Sequence, residues 1–172
     1  MIRILRQIFH TGIVTEQLSG EVISGIEQVG GQLEELVRKR FSRSLTIRQV
    51  DAGSCNGCEL EIHALNNPSY NCERYGIHFA ASPRFADMLL VTGPVTRNME
   101  IALRRTYDAT PSPKLVVAVG DCGCNGGIFG ESYASLGGVG KVIPVDVIIP
   151  GCPPTPTALL QGILKAVSSI QR

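Results

Sequence analysis

From Leu45 onward, short apolar runs alternate with stretches of helical spacing. "LTIRQV" (45–50) reads as a strand, because apolar and β-branched residues alternate with polar ones. "CELEIHAL" follows as a short helix that must end before Pro68. "IHFAA" and "ADMLLVTG" are strand candidates, the second a continuous apolar run of the kind a buried parallel strand requires. Thr96 is placed to cap a helix on which Met99, Ala102, Leu103 and Thr106 share one face. "KLVVAVG" (114–120) is the clearest buried strand and "VDVIIPG" (145–151) is another. The last helix has Thr155 as cap and Pro156 in its first turn, then Leu160, Ile163, Leu164 and Val167 at i, i+3, i+4, i+7. Strands alternating with helices predict an α/β domain with a doubly wound parallel sheet, covered on both faces.

Residues 1–44 have a different texture. "TEQLSGEVISGIEQVGGQLEELVRKRFSRS" is polar and interrupted by glycine, with loose helical spacing and the basic cluster Arg38, Lys39, Arg40. The pattern predicts an N-terminal extension with solvated charges. Its sharper reading is a docking arm for another subunit. Residues 45–172 then form the folded domain, and no internal repeat or low-complexity tract interrupts them.

Composition narrows the function. At 172 residues the chain suits one domain with a sizeable core, and 44% hydrophobic against 18% charged residues excludes a disordered tail. A net charge of +1 offers no overall electrostatic drive toward nucleic acid or an anionic surface. No apolar run reaches the roughly 18–20 residues needed to span a bilayer, so any membrane link is expected through partners. "MIRILRQIFHTGIV" lacks the long apolar stretch and small-residue cleavage site of a signal peptide, which predicts a cytoplasmic chain. In that reducing compartment the six cysteines (55, 58, 72, 122, 124, 152) point to metal or catalytic use rather than disulfides.

The cysteines follow strands. Cys55 and Cys58 come after the strand ending at Val50, Cys122 and Cys124 after the one ending at Gly120, and Cys152 after the one ending near Pro150. In an open parallel sheet the C-terminal strand ends lie along one edge, where ligands bind, so three segments deliver thiols to that edge. Glycines around each cysteine permit close approach of backbone, and Cys58 at a helix start predicts a thiolate favoured by free N–H groups. Four thiolates suit zinc or an iron–sulfur cluster; one pair followed by two separated singles favours the cluster over the two compact pairs of structural zinc. A thioredoxin-like use of the Cys55–Cys58 pair is the remaining rival.

"DAGSCNGCELEI", "ASPRFADMLLVTGPVT", "VVAVGDCGCNGGIFG" and "PVDVIIPGCPPTPTALLQGIL" together resemble the small subunit of energy-converting, membrane-bound [NiFe] hydrogenases, including the formate hydrogenlyase type. That subunit is homologous to the 20 kDa subunit of respiratory complex I, and the resemblance covers residues 45–168. It implies a flavodoxin-like domain carrying one 4Fe–4S cluster at the C-terminal strand edge. Carried over by motif, the ligands are Cys55, Cys58, Cys122 and Cys152. Cys122 matches the cysteine of "GDC"; Cys124, where the pattern requires none, is the spare and the alternative ligand. The implied partners are a large subunit with the NiFe centre, a ferredoxin-like cluster subunit and integral membrane subunits at the cytoplasmic face of the membrane. This chain is then an electron-transfer subunit of an oxidoreductase, without catalysis of its own. In the complex I branch the first two ligands are typically adjacent cysteines, whereas Asn56 and Gly57 separate them here. A complex I-like quinone or sulfur reductase is the alternative, since sulfur reductases share much of the pattern.

The remaining marked residues have plainer readings. Glu59 and Glu61 beside the pair are candidate proton relays, with a first-turn helix residue the preferred reading of Glu59. Arg84 is either an exposed loop arginine or a partner-pairing group near the site. His63 and His78 read as surface or packing residues, and Cys72 as a small buried hydrophobe. "GGVGKV" (137–142) lacks the Ser or Thr that a phosphate loop places after lysine, because Val142 stands there.

Overall fold

The computed structural model describes residues 2–11 and 20–170. Five strands form one all-parallel sheet: β1 (Leu45–Asp51), β2 (Ile77–Phe79), β3 (Met88–Thr92), β4 (Leu115–Val119) and β5 (Val147–Ile149), in the order β2-β1-β3-β4-β5. This is the flavodoxin-like strand order, and it bears out the doubly wound α/β expectation. β3 and β4 are buried along their whole length, as their uninterrupted apolar runs require. Alternation divides them between two cores: Met88, Leu90, Leu115, Val117 and Val119 face one side, Leu89, Val91, Val116 and Ala118 the other.

The first core is closed by α2 (Gly20–Phe41), α3 (Gly57–Ala64) and α6 (Pro156–Ser168). The second is closed by α4 (Arg97–Ala109) and the short 3-10 turn Val139–Lys141. α6 follows its sequence signature, with Thr155 Oγ1 accepting from Ala158 N at 3.3 Å and Leu160, Ile163 and Val167 fully buried. Thr96 does precede α4, but its hydroxyl donates to Ala52 O instead of capping. On α4, Leu103 is buried while Ala102 is exposed, so the buried stripe is narrower than the spacing implied. β5 is shorter than its apolar run; just before it, Asp146 N donates to Val116 O at 2.9 Å while Asp146 Oδ2 accepts from Val116 N at 2.7 Å.

The segment read as a polar extension contains two helices. α1 (Ile2–Thr11) is followed by residues 12–19, outside the described set, and then by α2. α2 packs on α6, and its Leu33 and Val37 are buried in the first core beside Leu45 and Ile77. Arg38 and Lys39 are exposed, as expected for a solvated basic cluster. One of the glycines in α2 serves packing: a Cβ on Gly30 would fall within 2.5 Å of the Tyr75 ring, whereas one on Gly25 or Gly31 would meet nothing within 4 Å. Among the described residues no helix is long and apolar enough to cross a membrane.

Candidate metal centre

At the C-terminal edge of the sheet, three loops surround one cavity of about 170 Å³. The loop after β1 supplies Cys55, and α3 supplies Cys58; α5 (Gly120–Asn125), directly after β4, supplies Cys122; the turn after β5 supplies Cys152. Ser54, Gly57, Gly93, Asp121, Gly151 and Pro153 complete the lining. Cys58 lies at the buried floor, Cys122 is half-buried, and Cys55 and Cys152 are exposed at the rim. The cavity is thus closed on the sheet side, at Cys58, and open on the side of Cys55 and Cys152.

Local hydrogen bonding fixes the loops. Asp51 Oδ1 accepts from Gly53 N and Ser54 N, both at 2.7 Å, turning the chain sharply toward Cys55. Asp121 and Gly151 clasp each other: Asp121 N donates to Gly151 O at 2.9 Å, and Gly151 N donates to Asp121 Oδ1 at 2.8 Å. This clasp holds the Cys122 and Cys152 loops in register. Two glycines make the cradle possible. Gly120 (φ +77°) packs so closely that a Cβ would lie 2.6 Å from Cys58 Sγ, and a Cβ on Gly127 (φ +54°) would lie 2.8 Å from Cys122 Sγ.

The electrostatics favour a positively charged occupant. Burial, then Glu59, then Cys55, Cys122 and Cys152 push the Cys58 thiol from 9.0 up to about 12. Cys122 is raised by burial, then by Cys152, Cys55 and Asp121. The expectation of a Cys58 thiolate favoured by its helix start is therefore reversed in the metal-free chain: desolvation and the crowd of acidic neighbours outweigh the helix terminus. Four thiolates can coexist here only with compensating cationic charge, and loading the site releases protons. The donor set fits an iron–sulfur group: four thiols, glycine-cradled sulfurs and no competing nitrogen donor in the lining. Among the described residues no three His, Cys, Asp or Glu side chains close on a single ion; these thiols rim a cavity instead.

The structure separates the two cysteines of "DCGC". Cys124 does not line the cavity; its Sγ lies 3.7 Å from Ile149 O and 4.0 Å from Ala118 O, behind α5. Glu59 is only 5% exposed and accepts a hydrogen bond from Thr92 Oγ1, while its Oε2 has no partner. Sequence reasoning saw the first-turn carboxylate but not its burial, which follows from Thr92 at the end of β3 lying opposite. Arg84 is exposed on the 3-10 turn Pro83–Phe85 and does not line the cavity. His63 and His78 are exposed, and all six cysteines are free, with Cys72 buried and donating to Asn66 Oδ1 at 3.1 Å. Lys141 of "GGVGKV" pairs with Glu131, a surface role.

Residues 55–166, from the first cavity cysteine to α6, match the family described as NADH ubiquinone oxidoreductase, 20 Kd subunit. The chain belongs to this family. It is 47% identical to formate hydrogenlyase subunit 7 of Escherichia coli over 78% of its own length, and spans about half (52%) of that relative. A probable membrane-bound hydrogenase subunit of Pyrococcus furiosus is 44% identical over 78% of this chain and 80% of the relative. Among solved structures, one of the membrane-bound sulfane sulfur reductase, an archaeal respiratory membrane complex, matches with a TM-score of 0.65 and 39% identity, covering 80% of this chain and 74% of that one. Membership in the 20 Kd family makes this chain a subunit of an oxidoreductase complex, as the motifs implied.

Proposed function

We propose that this chain is the electron-transfer subunit of a membrane-associated [NiFe] hydrogenase complex, holding one 4Fe–4S cluster through Cys55, Cys58, Cys122 and Cys152. The observation that carries the proposal is the delivery of these four thiols, from three separate loops, to one cavity at the sheet edge. When bound, the cluster supplies a one-electron relay whose potential depends on burial and on hydrogen bonds to its sulfurs. The protein's contribution is positional. Cys58 and Gly120 form a dry floor, the Asp121–Gly151 clasp fixes the spacing of two ligand loops, and the exposed Cys55 and Cys152 face outward. The large subunit with its NiFe centre docks over that open side and carries out 2H⁺ + 2e⁻ ⇌ H₂. A ferredoxin-like cluster subunit exchanges electrons with this chain, and integral membrane subunits hold the assembly at the cytoplasmic face of the membrane.

Hydrogenase relatives and the two-residue gap between Cys55 and Cys58 support this branch. The likeness to a sulfane sulfur reductase supports a second reading, an equivalent subunit of a sulfur- or quinone-reducing complex without nickel. Metal analysis and electron paramagnetic resonance on the purified complex separate them. Nickel with a 4Fe–4S signal is expected; iron without nickel favours the second reading, and no iron sinks both. Single Cys→Ser changes at 55, 58, 122 and 152 are expected to abolish cluster absorbance, with Cys124→Ser tolerated. An intact cluster in Cys122→Ser alongside its loss in Cys124→Ser would overturn the ligand assignment.

A further inference from the structure

α1 is divided lengthwise by chemistry. Ile2, Leu5 and Phe9 recur at i, i+3, i+7, and Arg3, Arg6 and His10 recur in the same way one position later, which puts the basic row along one edge of the apolar row, about 100° round the helix; Ile4 lies beyond the other edge. The apolar side is not used by the fold: Ile2 is 84% exposed, Ile4 63%, Leu5 53% and Phe9 86%. The helix carries no acidic residue, and the first one in the sequence is Glu16. Four large apolar side chains in open solvent are unfavourable, so the helix has an occupant for that side in its working state.

We propose that α1 lies in the plane of an anionic lipid surface, its apolar side among the acyl chains and Arg3 and Arg6 at the phosphates. Charge selects this occupant. An apolar groove on another protein requires only the Ile2–Leu5–Phe9 side, whereas a basic row bordering an apolar one, with no acidic residue on the helix, is the arrangement of interfacial helices, whose cations sit at the headgroup level. The helix is about 15 Å long, too short to span a bilayer and sufficient to lie along one. A net charge of +1 for the whole chain conceals this, because the positive residues of α1 are offset by acidic residues elsewhere. The inference deepens the peripheral membrane placement of the proposed function, adding a direct lipid contact to those made through partner subunits.

Flotation of the purified full chain with vesicles tests it, and requires neither a cluster nor hydrogen chemistry. Vesicles of equal phosphatidylglycerol and phosphatidylcholine are compared with phosphatidylcholine alone. Binding is expected on the anionic vesicles. Arg3→Gln with Arg6→Gln should weaken it roughly 25-fold, each arginine contributing about fivefold on such a surface. Leu5→Ser with Phe9→Ser should abolish it, while circular dichroism and iron content stay at the parent level. Equal binding to neutral vesicles, wild-type binding by the Leu5→Ser/Phe9→Ser chain, or no binding to either vesicle overturns the proposal. Two further outcomes would also overturn it, by identifying another occupant. A concentration-dependent dimer dissolved by Leu5→Ser/Phe9→Ser means a second copy, and co-purification with a membrane subunit lost in that variant means a protein groove. Absence of nickel or iron in the complex would refute the hydrogenase reading and leave the vesicle result unchanged.

Discussion

Gly120→Ala tests the cradle most directly. Gly120 opens α5 with φ +77°, and an added Cβ would lie 2.6 Å from Cys58 Sγ and 3.3 Å from Gly151 O. The left-handed backbone costs an alanine about 1–2 kcal/mol, and the overpacked contact adds roughly 1–3 kcal/mol. Reduced freedom of the unfolded chain returns about 0.4–1 kcal/mol, leaving a net destabilisation of about 1–5 kcal/mol. Relief requires the Cys58 sulfur to move by about 1 Å to reach an ordinary contact distance, which takes it from its place on the cavity floor. The assay is urea unfolding of the metal-free full chain under reducing conditions, with iron and sulfide per chain after reconstitution. Gly140→Ala is the control, since its Cβ meets nothing within 4 Å and its backbone is not left-handed. A Gly120→Ala chain as stable as Gly140→Ala, with full iron content, would refute the close packing of Gly120 on Cys58.

Three other outcomes follow from packing and burial. Leu33→Ala, in the helix that sequence alone reads as solvated, should cost about 2–5 kcal/mol in urea unfolding; a change under about 0.5 kcal/mol would mean α2 is not part of the core. Thr92→Val removes the one hydrogen bond to the buried Glu59 carboxylate and should cost about 1–3 kcal/mol, with most of that recovered when Glu59→Leu is added. Burial, followed by the Glu73 charge, pushes the Cys72 thiol from 9.0 up to about 11. The native chain therefore keeps a proton that the unfolded chain loses, so this stability is whole below pH 9 and falls between pH 9 and about 11. A Cys72→Ala chain should show a shallower alkaline decline; an unchanged slope would refute the assignment.

The sheet was legible because its strands are hydrophobic in ways only burial explains. β3 and β4 read as uninterrupted apolar runs, and the Thr155–Pro156 start with its i, i+3, i+4, i+7 stripe located α6. Topology then carried three cysteine loops to one edge without any knowledge of distances. The amino-terminal helices were hidden for two different reasons. α2 buries only a narrow line through Leu33 and Val37, and its glycines, low in helix propensity, mask that line. α1 is short, and a search for long apolar stretches passes over it; plotting residues 2–11 on a helical wheel is the test that finds it. Spacing could not choose between Cys122 and Cys124. That distinction depends on α5, whose turn sends one thiol into the cavity and the other back against Ile149 O. The burial of Glu59 likewise depends on its neighbour Thr92, 33 residues away in the chain.

The thiols that rim the cavity span almost a hundred positions, from Cys55 to Cys152, and the last follows the final strand. A chain still emerging from the ribosome cannot assemble that rim, however well its first strands have paired. Nor can a chain cut short before the turn at Gly151, because the clasp on Asp121 is then missing. Any group that requires all four sulfurs can therefore be installed only after the chain has been made past Cys152. A cofactor that needed the whole set would then report that synthesis had passed the last thiol.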